Sequence, residues 1–112
     1  IGLGFPSSLL RRITSAPSAS LQLITVSGDS MDPTLADGDL VMIDTARKQP
    51  SPPGIFLRDD AGGLVASRGH AVPNTTPPML RLSSDSPAYS NYQRRLDEVH
   101  IIGRVIWFGR SL

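Results

Sequence analysis

Proline and glycine interrupt this chain so often that long helices are excluded. The 112 residues include ten prolines and ten glycines, and no apolar pattern of helical period persists beyond about ten residues. Such a sequence favours short strands joined by turns, so we predict a mainly β fold of short antiparallel strands. A chain of this length suits one hydrophobic core, and a single domain is therefore expected over residues 1–112.

The individual elements are predicted from apolar alternation and from turn residues. The best helix covers residues 6–13 near the amino terminus, with Ser7 as its cap. A second, single helical turn is predicted around Pro33. Residues 59–63 predict a hairpin turn, and residues 70–78 a loop. The predicted strands are Leu21–Val26, Leu40–Ile43, Ile55–Arg58, Leu64–Arg68, Met79–Ser83 and Val99–Phe108.

The last predicted strand, Val99–Phe108, is apolar on both faces. An antiparallel sheet with one solvated face alternates polar and apolar residues, and this segment does not. Two explanations remain open, and they are compatible. The strand lies buried at the centre of the sheet, or it contributes to an interface with a partner chain.

Composition narrows the function and the environment. A formal net charge of +1 is too small for a non-specific grip on nucleic acid, so DNA binding would need another part of a longer protein. The absence of cysteine and of metal-ligand spacing predicts no metal and no cofactor. There is no apolar run of about 18 residues and no signal-peptide pattern, so we expect no membrane partner and a cytoplasmic location. Because the chain begins at Ile1, we expect it to be a fragment.

Residues 26–41 (VSGDSMDPTLADGDLV) are the most informative segment for function. They place Ser30 on a sharp turn after an apolar run, where a hydroxyl stands clear of the fold. An isolated Gly-Asp-Ser is usually no more than a capped turn. The full run is far more specific, because five further residues are in register: Pro33, Thr34, Leu35, Gly38 and Asp39.

This run resembles the nucleophile segment of the LexA and phage-repressor self-cleaving proteases and of the bacterial signal peptidases. Both families use a serine–lysine dyad on related β scaffolds. Residues 82–89 (LSSDSPAY) and 102–108 (IGRVIWF) are similar to segments of the repressor family, and a signal-peptidase membrane anchor is not seen. The resemblance extends from about Phe5 to Leu112. It implies a LexA-like, β-barrel-like fold and a phage-repressor carboxy-terminal domain.

The resemblance implies that Ser30 holds the nucleophile position and that a lysine on the strand after the hairpin activates it. Here that strand has the sequence LVASRGH, residues 64–70. Aligning Arg68 with the arginine of the family puts Ser67 at the lysine position, and a slip of one residue would put Ala66 there. Neither side chain can accept the proton. The backbone N–H of Ser30 or Met31 is the candidate donor to the oxyanion.

Three other residues are weaker candidates for the base. Lys48, the only lysine, follows a strand in a polar loop and is expected to be solvated and charged. His70 has an imidazole, which is a competent base near neutral pH, but it lies on a strand with the opposite facing. His100 begins the last strand. A lone histidine is more often a surface or core residue than a catalyst.

Three functions remain, of which the first is favoured because the base is missing. The first is a regulatory and self-association domain of a phage-repressor-type transcriptional regulator. Its implied partners are a second copy, through Val99–Phe108, DNA through a separate amino-terminal helix-turn-helix domain, and a recombinase filament in an SOS response. The second is a working self-cleaving serine endopeptidase, whose base is unidentified or was removed by engineering. The third is a hydrolase similar to signal peptidases.

Overall fold

The computed structural model describes residues 5–61 and 63–112. The amino-terminal α-helix is short, and two 3₁₀ turns cover Ser18–Ser20 and Leu96–Glu98. Within these residues no helix has the length and the apolar character that a membrane crossing requires. The helix and the seven strands are α1 Ser7–Ile13, β1 Leu21–Thr25, β2 Leu40–Asp44, β3 Gly54–Asp60, β4 Gly63–Val72, β5 Met79–Ser83, β6 Tyr92–Arg95 and β7 His100–Gly109.

The seven strands form one antiparallel sheet in the order β1-β2-β7-β3-β4-β5-β6. Every strand pair along this order is antiparallel. The predicted mainly β fold with one amino-terminal helix is therefore confirmed. The sheet is not closed into a barrel, because β1 and β6 are its two edges.

Two predicted helical features differ in detail. Helix α1 begins after Pro6, which is its N-cap, and no side chain caps it, so the prediction of Ser7 as the cap is wrong. The helix is held by burial instead, because Leu10 is fully buried against β1 and β2. After Ser30 the chain forms consecutive turns rather than a helix, with one helical hydrogen bond from Leu35 N–H to Met31 O at 2.9 Å.

The strand predictions hold except around β4 and β6. The hairpin of β3 and β4 is confirmed, although residue 62 in its turn lies outside the described residues. Strand β4 continues to Val72, so the predicted loop at 70–78 is wrong in its first part. Strand β6 was missed, because its four residues are mostly polar and exposed and carry no apolar alternation. Its pairing with β5 makes it a strand.

Strand β7 lies at the centre of the sheet, between β2 and β3. The predicted position inside the sheet is confirmed, but burial is only partial, because Ile101 is buried, most other apolar side chains of the strand are half-buried and Phe108 is exposed. The pairing shifts by one residue between Met42 and Ile43 and again between Leu57 and Arg58. Such bulges rotate the strand locally, so that its residues face different parts of the core. The alternative of a partner interface stays a prediction.

Three buried clusters make up the described core, and the largest one holds the loop that follows β1. That cluster contains Met31 and Leu35 of the loop together with residues of β2, β3 and β4. The loop, residues 26–39, is here called the serine turn. The second cluster contains Phe56 and lies under β5, and the third contains Leu10. Ser30 is thus positioned at the rim of the main core.

Candidate functional site

The serine turn is closed by hydrogen bonds between its own ends. Val26 N–H donates to Asp39 O at 2.8 Å, and Gly38 N–H donates to Val26 O at 2.9 Å. Gly28 N–H donates to Asp37 Oδ1 at 2.8 Å. Gly28 and Gly38 have φ angles of 91° and 89°, which only glycine adopts without strain. The sharp turn predicted at this segment therefore follows from local sequence.

Burial of the residues after Ser30 sets the position of its hydroxyl. Met31 and Leu35 are each 1% exposed, whereas Ser30 is half-buried. No hydrogen bond among the described residues is donated by the backbone N–H of Ser30 or of Met31. Neither donor is engaged within the described chain, as an oxyanion site requires.

An ion pair between buried Asp39 and half-exposed Arg110 holds the far end of the serine turn. The Asp39 side chain is 2% exposed, and it accepts hydrogen bonds from Arg110 Nε at 2.8 Å and Arg110 Nη2 at 2.6 Å. Ala36 N–H donates to the same carboxylate at 2.8 Å. These bonds favour the ionised form and lower the pKa of Asp39 to about 2. Arg110, just after β7, therefore ties the chain end to this turn.

This ion pair predicts a loss of stability in acid. The folded pKa of Asp39, about 2, lies below its ordinary value of 3.8, so the stabilisation is complete above pH 3.8 and is lost as pH falls toward 2. We expect Asp39→Asn, which cannot ionise, to be less stable at neutral pH and to lose this part of the acid dependence. Urea unfolding at a series of pH values measures both. An unchanged acid dependence in this variant would contradict the assignment.

Arg110→Met provides the complementary variant, since it leaves the carboxyl of Asp39 in place. Without the guanidinium of Arg110, we expect the pKa of Asp39 to rise toward 3.8. A carboxyl carbon NMR titration of Asp39 measures that shift directly.

A loop between β5 and β6, residues 84–90, lies against the serine turn and is here called the strap. Ser86 N–H donates to Ser30 O at 3.0 Å. The Tyr89 hydroxyl donates to Asp29 Oδ1 at 2.5 Å, and this bond raises the pKa of Tyr89. The strap therefore holds the carbonyl group of Ser30 and the side chain of the residue before it.

Asp85 of the strap joins the serine turn to β4. Its carboxylate accepts hydrogen bonds from Arg68 Nε at 2.6 Å and Arg68 Nη2 at 2.9 Å, and also from the Thr34 hydroxyl. The Arg68 guanidinium is the largest cause that lowers the pKa of Asp85. The Asp85 side chain thus links the serine turn to β4, the strand on which the base was expected.

Two cavities meet at Ser30. The first, here called the inner cleft, is lined by Ser30 and Met31 together with Leu57, Leu64 and Ala66 of the hairpin. The second, here called the outer groove, opens on the other side of Ser30. It is lined by Ser30 together with Asp29, Arg58, Asp60, Tyr89 and Tyr92.

The two candidate base positions point to opposite sides of β4. Ala66 lines the inner cleft with Ser30 and Met31, so the structure brings these three predicted residues together. Ser67 is 3% exposed and lies on the other face, where its Oγ accepts a hydrogen bond from Arg58 Nε at 3.0 Å. Neither cavity lining includes Ser67. Its hydroxyl is hydrogen-bonded to Arg58, whose side chain lines the outer groove together with Ser30.

Arg58 is the site residue that sequence reasoning missed. Its side chain is buried, with a relative exposure of 9%, and lines the outer groove. Besides Ser67 it contacts Tyr92, whose hydroxyl lies 2.7 Å from Nη2, and Asp60, whose Oδ2 lies 3.5 Å from Nη1. The hairpin pairing of Phe56 with Ser67 puts residues 58 and 67 on one face. Side chains alternate between the two faces of a strand, and this alternation was the sequence signal that could have placed Arg58 beside Ser67.

The other candidate bases lie away from Ser30. Lys48 and His100 line a separate surface cavity, and His70 is exposed on β4, opposite Arg81. Among the described residues no lysine or histidine hydrogen bonds to the Ser30 hydroxyl or lines either of its cavities. In the same part of the chain no group of three or more His, Asp or Glu side chains is placed to hold a metal ion.

Comparison with known proteins identifies the family. The model of the Peptidase S24-like family matches residues 4–106, which include the serine turn, the hairpin, the strap and most of β7. No curated protein gave a significant match. The chain belongs to the Peptidase S24-like family, the family of LexA and phage-repressor carboxy-terminal domains.

Proposed function

We propose that this chain is the regulatory and self-association domain of a phage-repressor-type transcriptional regulator, and that its serine centre does not cleave. The observation that carries the proposal is the state of the two positions where the base is expected. Ala66 has no proton acceptor, and the Ser67 hydroxyl oxygen already accepts a hydrogen bond from the Arg58 guanidinium.

The chemistry follows from what a serine nucleophile needs. Its hydroxyl attacks only when a neighbouring group takes the proton. A second hydroxyl, such as that of Ser67, is no stronger a base than the one it would activate. A guanidinium has N–H donors and no acceptor atom, so Arg58 cannot take the proton either. Ser30 therefore has a suitable position, and the described residues offer no partner for its proton.

The bonds around Ser30 support a scaffold role for this segment. The pair of Asp39 with Arg110 and the pair of Asp85 with Arg68 both hold the serine turn against the sheet. Neither pair needs a catalytic step. A packing role of the serine turn would explain why the nucleophile segment is present although the base is not.

Self-association is assigned to β7, as the sequence suggested. Both edges of β7 are paired, with β2 and with β3, so a second copy could contact only the faces of the strand, and its most exposed large apolar side chain lies at the carboxy-terminal end. Phe108 is 46% exposed there, and the Arg110 guanidinium carbon lies 5.5 Å from its ring centroid. Pairing two copies would raise the DNA affinity of a separate amino-terminal domain through effective concentration. A cytoplasmic location and a recombinase partner belong to the same proposal.

Alkaline incubation of the intact parent protein tests the inactive centre. Family members cleave without help at high pH because their lysine loses its proton, whereas here we expect no fragments. The Ser30→Ala variant is the control. Two fragments from the parent protein that are absent from this variant would establish a working peptidase. Sedimentation over a range of concentrations tests self-association, and a strict monomer at high micromolar concentration would contradict it.

The second candidate function is a self-cleaving peptidase with another base. One observation favours it: the backbone N–H groups of Ser30 and Met31 donate to no hydrogen bond among the described residues. A fluorophosphonate probe, which reacts with activated serines, distinguishes the two candidates in the 112-residue chain. Labelling that disappears in Ser30→Ala supports the peptidase, and equal absence of labelling in both supports the regulator.

A further inference from the structure

The guanidinium of Arg58 is held in an unusual place for a charged group. The side chain is buried beside the outer groove, and its two closest partners are the neutral oxygens of Ser67 and Tyr92, at 3.0 and 2.7 Å. Its one carboxylate contact, to half-exposed Asp60, is long at 3.5 Å. Burying a cation with mainly neutral partners is costly, so the position is not explained by a strong ion pair.

Strand pairing places Arg58 where a long side chain at position 67 would lie. Arg58 pairs with Val65, and Phe56 pairs with Ser67, so residues 58 and 67 are diagonal neighbours on one face of the hairpin. Diagonal neighbours are within reach of long side chains. The small side chain at 67 leaves the space, and the arginine at 58 fills it down to a hydrogen bond with Ser67 Oγ.

We propose that the guanidinium of Arg58 occupies the place beside the serine turn in which a lysine at position 67 would hold its amine, so that arginine at 58 and lysine at 67 exclude each other. The inference rests on the proposed function, in which Ser30 lacks its base. It assigns Arg58 as a positioning residue that keeps the groove filled and charged. Replacing Ser67 alone therefore does not recreate the dyad.

A double-mutant cycle in the 112-residue chain tests the exclusion. We expect Ser67→Lys to lower the melting temperature by roughly 10 °C, because two cations would share one buried place. Arg58→Ala is expected to lower it by a similar amount. In the double variant Arg58→Ala/Ser67→Lys the two effects should not add, and its melting temperature should be no lower than that of either single variant.

Arg94 provides the matched control. Its guanidinium carbon lies 4.4 Å from the centroid of the same Tyr92 ring, but the residue is exposed. In Arg94→Ala/Ser67→Lys the effects should add. The proposal would be overturned if the melting temperature of Arg58→Ala/Ser67→Lys fell by the sum of the two single effects. It would also be overturned if Ser67→Lys alone left the melting temperature unchanged. If Arg58→Ala does not fold, a folded double variant supports the proposal and an unfolded one overturns it.

A second measurement asks whether this place serves a base. The introduced lysine would take the place of Arg58, in a groove also lined by Tyr92 and by the charged side chains of Asp59, Asp60, Arg94 and Glu98. Lys48, the only other lysine, is exposed and serves as an internal reference in an NMR titration. In the double variant we expect the introduced amine to titrate at least one pH unit below Lys48. We also expect fluorophosphonate to label Ser30 at least tenfold faster than in Ser67→Lys alone.

Each outcome decides one question. Labelling in the double variant that Ser30→Ala abolishes supports the assignment, and its absence overturns it even if the melting temperatures are not additive. Labelling of the unmodified chain at Ser30 would contradict the inactive centre of the proposed function. In that case the melting temperatures alone would decide whether Arg58 and a lysine at position 67 compete for one place.

Discussion

Phe56→Ala is expected to lower the free energy of unfolding by about 4 kcal/mol. Phe56 is 2% exposed and forms the centre of a cluster with Leu80, Leu82 and Ile101. Truncation removes the buried ring and leaves a cavity that the sheet around it cannot close. The same ring faces the guanidinium carbon of Arg104 at 4.6 Å, so a buried cation loses one of its contacts.

Urea unfolding followed by the fluorescence of Trp107, the only tryptophan, measures this loss. The matched control is Phe108→Ala, since Phe108 is 46% exposed at the end of β7. We expect that variant to lose less than about 1 kcal/mol. Equal losses in the two variants would contradict the assignment of Phe56 to the core.

Gly103→Ala is expected to lower the free energy of unfolding by about 3 kcal/mol. A Cβ on Gly103 would lie 2.7 Å from Asp44 O and 3.1 Å from Thr45 Cα. Both are backbone atoms of β2 and the residue after it, and backbone atoms cannot rotate away. Strands β2 and β7 would have to separate where they pair.

The matched control for this prediction is Gly63→Ala. The nearest atom to a Cβ there is Asp60 O at 3.8 Å, which is ordinary contact. We expect the free energy of unfolding of that variant to differ by less than about 0.5 kcal/mol from that of the unmodified chain. The same urea experiment measures both variants, and a Gly103→Ala chain as stable as the parent would show that β2 and β7 approach less closely.

Local sequence was sufficient to predict most of the elements. Strand β5, Met79–Ser83, has the predicted bounds, because its apolar alternation is clear and turn residues flank it. Strand β6 was missed because its residues Tyr92–Arg95 carry no such alternation. The cap of α1 was misassigned because packing of Leu10, and not a side-chain hydrogen bond, holds that helix.

The candidate site was predicted only in part. The position of Ser30 followed from the glycines and the proline around it, which act within a few residues. Alignment of Arg68 put Ser67 at the lysine position, but the sequence could not exclude a slip to Ala66, and a shift of one residue turns a side chain to the opposite face of a strand. The strap was predicted as a resemblance, but its hydrogen bonds from Asp85 to Arg68 and Thr34 were not.

The amino-acid sequence by itself determined that this chain is mainly β, that it has a serine on a sharp turn, and that no lysine stands at positions 66 or 67. These properties depend on residue type and on neighbours along the chain. Only the tertiary structure decided that Ala66 and Ser67 lie on opposite faces of β4 and that Arg58, hydrogen-bonded to Ser67, lies beside the outer groove. These features depend on the register in which β3 pairs with β4 and on the packing of the serine turn against the sheet, which bring together residues far apart in sequence.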